Sequence, residues 1–147
     1  MPEFSLISLI IENSVSKIWD SAKLEWSMED IYDVSDPETC SCGHYPILEI
    51  CIIKNNNNQK TLMVGNTCVK KFLRLSSDKI FKSKKQVKKD LSKSFNQETV
   101  DFCFNKNVIN QWQKNFYLDI IKKRSLSDKQ LVKKKEINIK MLACFTK

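Results

Sequence analysis

Glycine, proline, histidine and arginine are all scarce in this chain, and each scarcity removes a class of answer. With two glycines and three prolines in 147 residues, long flexible linkers and a turn-rich β-sandwich are disfavoured, and a phosphate-cradling glycine-rich loop is excluded. A single histidine excludes multi-histidine nuclease and metalloprotease centres, and the deaminase pattern His-x-Glu with Pro-Cys-x-x-Cys is also missing. Arginine occurs only at Arg74 and Arg124, so bidentate reading of guanine is not a prominent feature. No apolar run approaches the roughly 18 residues of a membrane span. Met1, Pro2, Glu3 and Phe4 lack the basic start of a signal peptide. An intracellular location, cytoplasmic or nucleoid/nuclear rather than secreted, is therefore expected, with no membrane partner and no small-molecule substrate.

Hydrophobic residues make up 41% of the chain, enough for a folded protein. Its length suits one domain, residues 1–147, with an N-terminal helix and strand (1–36), a cysteine-bearing hairpin and helix (37–75) and a basic helical region (76–147). The formal charge of +8 is unevenly spread. Residues 1–70 carry five lysines against ten acids, whereas residues 71–147 carry twenty basic residues against seven acids, a net +13. Six cysteines in a reducing compartment point to metal binding more readily than to disulfides.

Periodicity places the elements. Val15, Ile18, Trp19 and Ala22 have helical spacing, and Leu24, Trp26 and Met28 alternate as in a strand that Asp36-Pro37 ends. Ile47 to Ile53, the asparagines Asn55 to Asn58, and Thr61 to Val64 read as a β-hairpin. From Asn66 the pattern is helical: Cys68, Phe72 and Leu75 share a face, and Ser77 is placed to cap the next helix. Ile80, Val87 and Leu91 mark that helix's apolar side. Asn96 caps a third helix with Val100, Cys103 and Phe104 inward. Ile109, Trp112, Phe116 and Ile120 mark a fourth helix, their spacing assigning the aromatics, with Tyr117, to the core rather than to base stacking. Ser127 and Gln130 form a capping box before a last helix carrying Leu131, Val132 and Ile139. The fold class expected is α+β.

The most specific feature is a set of five candidate metal ligands: Cys40, Cys42, His44, Cys51 and Cys68. Thiolates bind Zn²⁺ tightly, and structural sites use four protein ligands. Cys40-x-Cys42-Gly43 resembles a zinc knuckle, in which the glycine lets backbone amides turn back toward the sulfurs. Cys68 opens a helix, where free N–H groups favour its thiolate. Knuckle, hairpin and helix together resemble a treble-clef zinc finger, although the usual knuckle is Cys-x-x-Cys and the usual helix supplies two ligands. The fourth ligand is open between Cys51, favoured because a hairpin brings its strand over the knuckle, and His44, which binds only if the chain bends sharply at Gly43. Cys51 as a small core residue is the competing reading. Cys103 and Cys144 read as structural or incidental.

Cys40-x-Cys42-Gly43, Pro46-Ile47, Cys51, Asn55 and Val64-Gly65-Asn66-x-Cys68-Val69-Lys70-Lys71-Phe72 also resemble a group of small, largely uncharacterised Cys-x-Cys-Gly proteins of bacterial, phage and large-virus genomes. The likeness covers residues 40–72 and extends loosely to Trp112, Phe116 and Leu126-Ser127-x-Lys129-Gln130. It implies a metal-binding module with no established activity, and a Cys or His at the position of Cys51.

No catalytic residues are expected, since four ligands around one ion leave no open position for water and no free nucleophile. At about 100° per residue, Lys82, Lys85, Lys89 and Lys93 form one stripe opposite Ile80, Val87 and Leu91. Lys70, Lys71 and Arg74 extend the positive charge toward the cysteines. Such lysines suit the phosphate backbone of DNA or RNA, with little sequence discrimination; a solvated lysine face is the plainer reading. The function expected is a structural-zinc nucleic-acid-binding protein, not an enzyme. The alternative is a phage or viral adaptor or inhibitor of a host nucleic-acid-processing machine.

Overall fold

The computed structural model describes residues 2–73 and 77–145, the side chains of residues 2–5 and Phe72 excepted. It mixes helices with one three-stranded antiparallel sheet, an α+β fold. The chain divides into two compact units between Asp78 and Lys79.

In the first unit the opening helix, α1 (Pro2–Glu12), occupies the apolar start. The helix expected through Val15 and Ile18 is reduced to one turn, α2 (Trp19–Ala22), and both of those side chains are exposed. The cause is Glu25. Its two carboxylate oxygens accept from the backbone N–H groups of Val15 and Ser16, each at 2.8 Å, amides that a continuing helix would need for itself. The same carboxylate accepts from Asn55 Nδ2 at 2.9 Å, and Trp26 Nε1 donates to Ser14 Oγ at 2.8 Å. One buried carboxylate thus joins the N-terminal segment to the hairpin.

The sheet comprises β1 (Trp26–Glu38), β2 (Ile47–Asn55) and β3 (Thr61–Gly65), in the order β1-β2-β3. The hairpin stands where expected. Strand β1 is longer than expected and runs through Asp36-Pro37. It is an edge strand, and its register shifts between Asp33 and Glu38, which is where a proline without an N–H is tolerated. Central β2 pairs Cys51 with Ile31 on one side and Val64 on the other. The asparagine loop is more than a polar spacer: Asn55 is fully buried and its Oδ1 accepts from the N–H groups of Asn57 and Asn58. After β3 the chain enters α3 (Asn66–Cys68) and continues as a π-helical turn, Val69–Leu73.

Helix α4 (Ser77–Lys89) crosses the boundary between the units. Ser77 is its first described residue and already lies within the helix rather than at the N-cap position; its hydroxyl donates to Asn66 Oδ1 at 2.6 Å. In the second unit α4 is followed by α5 (Gln97–Asn105), α6 (Gln111–Ile120) and α7 (Asp128–Cys144). Asn96 caps α5, and Ser127 with Gln130 forms the expected capping box on α7; Asn110 with Gln113 forms another on α6. The core gathers Phe81, Phe95, Val100, Cys103, Tyr117, Ile120, Ile137, Met141 and Phe145. Tyr117 ties it together: its hydroxyl donates to Asn138 Oδ1 at 2.6 Å and accepts from the N–H of Phe95 at 2.8 Å. Asn138 Nδ2 in turn donates to the carbonyls of Leu91 and Lys93. Three expectations about faces are corrected. Trp112, Val132 and Ile139 are exposed, because Tyr117, Ile137 and Met141 fill the inward positions of α6 and α7.

Glu25 yields a pH-dependent prediction. Donation by the N–H of Ser16, then by Asn55, holds its carboxyl below the ordinary glutamate value of 4.5. A depressed folded pKa means the stabilisation is fully present above the unfolded value and is lost as pH falls through the folded one. Glu25→Gln keeps the shape but loses the charge-assisted bonds. Thermal melts followed by circular dichroism should show the variant less stable than wild type at neutral pH, with the two curves converging below pH 4.5. Equal stability at neutral pH would refute the role.

Candidate metal centre

The turn after β1 is built by its own backbone. The N–H of Gly43 donates to the carbonyl of Cys40, and the N–H of Cys40 to the carbonyl of His44, both at 2.8 Å. Gly43 carries φ +96°, a conformation that side chains resist. Ser41 anchors the turn to the hairpin, donating through both its N–H (2.9 Å) and its hydroxyl (2.6 Å) to the carbonyl of Met63 on β3. The outcome is a tight turn whose backbone amides face the sulfurs. The backbone amides of Cys42 and Gly65 point at Cys40 Sγ, and that of His44 at Cys42 Sγ.

Cys68 arrives from the other side, in the short helix after β3. Gly65 sets that approach, since a Cβ there would stand 2.9 Å from Ile47 Cγ2. The sulfurs of Cys40, Cys42 and Cys68 all lie within 4.8 Å of one another, with Cys68 at 3.9 Å from Cys40 and 3.7 Å from Cys42. These spacings are far beyond a disulfide of about 2.05 Å. The two distances to Cys68 match the roughly 3.8 Å edge of a tetrahedron with metal–sulfur bonds of about 2.3 Å. All three residues are buried, so the donor set is soft, dry and correctly spaced: it can hold a metal ion.

Electrostatics favour a cation there. The hydrogen bond shared with Cys68 is the main reason the Cys40 thiol falls to about 5, helped by the amides of Cys42 and Gly65 against the cost of burial. The same contact pushes Cys68 up, and burial raises Cys42. The hydrogen-bonded trio shares its charge as a unit, and a bound cation would displace the remaining protons.

Neither candidate for the fourth ligand belongs to this set of three. Cys51 is fully buried in central β2; burial pushes its thiol up to about 12, against a hydrogen bond with Ser77, and the charge of Cys40 adds to the rise. The His44 side chain is exposed. The sequence marked Asn66 as the start of a helix and Ser77 as a helix cap, and neither reading foresaw that together they organise this corner. Buried Asn66 donates to Glu49 Oε1 at 3.1 Å while accepting from Ser77. The only advance signal was the place of Asn66 beside Gly65 in the Gly-Asn-x-Cys stretch.

Among the expected basic residues, Lys70 and Lys71 are exposed in the first unit, Lys70 pairing with Asp78 at 3.4 Å. Arg74 lies outside the described residues, as does Leu75. Lys82, Lys85 and Lys89 are exposed on α4 in the second unit. Lys93 is exposed too but falls beyond the helix, which ends at Lys89, so the stripe on regular helix is three lysines long. Among the described residues no helix is long and apolar enough to cross a membrane. No protein-family model, curated protein or solved structure matches the chain.

Elemental analysis of purified protein should find about one metal ion per chain, and removing it by chelation should lower the melting temperature of the first unit. Cys40→Ser and Cys68→Ser should each lose the metal and His44→Ala should keep it; retention by both serine variants would defeat the site. Loss in Cys51→Ala would make Cys51 the fourth ligand. Separately, Gly65→Ala should destabilise the protein by about 1–3 kcal/mol in denaturant titration, because the added methyl overlaps Ile47.

Proposed function

We propose that this chain is a zinc-dependent nucleic-acid-binding protein in which the metal organises the first unit and lysines of the second neutralise phosphates. The observation that carries the proposal is the buried trio of Cys40, Cys42 and Cys68, whose sulfurs lie within 4.8 Å of one another. Zinc is favoured because thiolates of this spacing suit a soft ion without redox demands, and Cys51 is the fourth ligand proposed. The knuckle, the hairpin and the helix bearing Cys68 support a treble-clef-like reading, and the same stretch is the basis for placing the chain with the small Cys-x-Cys-Gly proteins. The role proposed for zinc is structural: it would hold the turn, β3 and α3 together. Lys82, Lys85 and Lys89, exposed along α4, supply the phosphate contacts, within a stretch of net charge +13 over residues 71–147.

Fluorescence anisotropy with generic duplex and single-stranded DNA and RNA across a salt series tests the reading. Affinity should fall linearly on a log–log plot against salt, and replacing Lys82, Lys85 and Lys89 together by alanine should reduce the slope by about 2–3. Absence of salt-sensitive binding at low ionic strength would overturn the nucleic-acid reading while leaving the metal centre to its own test.

A further inference from the structure

We infer that the second unit carries a stacking site for an unpaired nucleobase, centred on Trp112 and backed by Phe116, and so prefers single-stranded to duplex nucleic acid. The inference rests on the nucleic-acid reading and adds to it a site on a different element from the α4 lysines.

The helical spacing of Ile109, Trp112, Phe116 and Ile120 assigns Trp112 to the core, yet 58% of it is exposed. Large aromatic side chains bring most of their value when removed from water, and this indole keeps more than half of its surface open to a ligand. It is also held in place. Its ring lies 5.3 Å from that of Phe116 with only 10° between their planes, and Phe116 is itself half-buried. A rigid, flat, solvent-facing aromatic is what a base needs in order to stack, because every base offers a π-face whatever its sequence.

The surroundings suit an anion alongside that base. Lys133 Nζ of α7 sits over the Trp112 ring, 5.7 Å from its centre, so an incoming base takes the place of this ammonium on the ring face; the same ammonium pairs with Glu136 at 3.1 Å across the helix surface. A phosphate would compete with that exposed carboxylate for the ammonium. Lys140 reaches Gln113 Oε1 of α6 at 3.4 Å, placing a second cation along the same pair of helices. Lys129, Val132 and Lys133 line a shallow depression on α7 together with Asp128 and Glu136. Residues 79–147 as a whole hold eighteen basic residues against six acids. Duplex bases already have both faces stacked within the helix, so only a splayed base can reach Trp112; the shape of the site therefore discriminates between strands in a way that lysines alone do not.

The test uses the 147-residue chain purified with zinc in the buffer, fluorescein-labelled oligothymidylate and a duplex of equal length. Trp112→Ala should weaken oligothymidylate binding about 5- to 150-fold, the range of one base–aromatic stack, with duplex affinity changed less than about twofold. Trp112→Phe should recover most of the loss. Circular dichroism melts should overlay wild type, since the side chain is largely outside the core. If wild type binds both nucleic acids and Trp112→Ala binds oligothymidylate equally well, the stacking site is wrong while the nucleic-acid reading stands. An equal loss on single strand and duplex overturns it as well. Binding to neither by wild type removes the wider reading and this one with it. Concentration-dependent self-association by light scattering that Trp112→Ala abolishes, with nucleic-acid affinity unchanged, would assign the patch to a protein contact instead.

Discussion

Three cysteine sulfurs from two separate stretches of chain meet in a buried space, and the first unit depends on how they are brought together. Thiols or thiolates at 3.7 and 3.9 Å give little packing energy of their own, and concentrating negative charge there costs desolvation. Backbone geometry bears that cost. The positive φ of Gly43 folds the turn so that amides face sulfur, Ser41 pins the turn to Met63, and the missing side chain of Gly65 lets β3 and the start of α3 pass close to Ile47. The two glycines of the chain both stand at this centre.

A second polar device holds the opposite end of the same unit. Glu25 gathers donors from Val15, Ser16 and Asn55, so the N-terminal segment is tied to the tip of the hairpin whose base carries the cysteines. Asn66 performs a similar service between β2 and α4 through Glu49 and Ser77. In the second unit the Tyr117 hydroxyl and Asn138 link α6 and α7 to the loop after α4. Each unit therefore has a fully bonded buried polar node, which selects one arrangement among the many that a generic apolar core would tolerate. With those nodes inside, unit two is free to leave lysines and one aromatic pair at its surface.

Legibility followed interaction range. The hairpin, the capping roles of Asn96 and Ser127, the sharp turn at Gly43 and the helical start at Cys68 all stood in the residues, because each depends on contacts within a few positions. Asn110 and Gln113 offered the same Asn-x-x-Gln signal as a capping box and could have been read. The fate of Val15 and Ile18 could not, since the acceptor that ends their helix is Glu25, about ten residues on. Nor could the continuation of β1 past Pro37, which depends on β1 lying at the sheet's edge.

Composition and spacing by themselves determined that this chain folds as α+β, that its charge is concentrated after residue 70, and that its cysteines form a ligand-like group. Local chemistry suffices for these, because turns, caps and periodic faces are decided by near neighbours. Tertiary structure alone decided that Cys40, Cys42 and Cys68 form the buried trio while Cys51 stays in the strand beside them, and that Trp112 faces water while Tyr117 takes the core. Both outcomes turn on which surfaces pack across the fold. A helical period identifies a face, but only the partner packed against it determines which member of that face is covered.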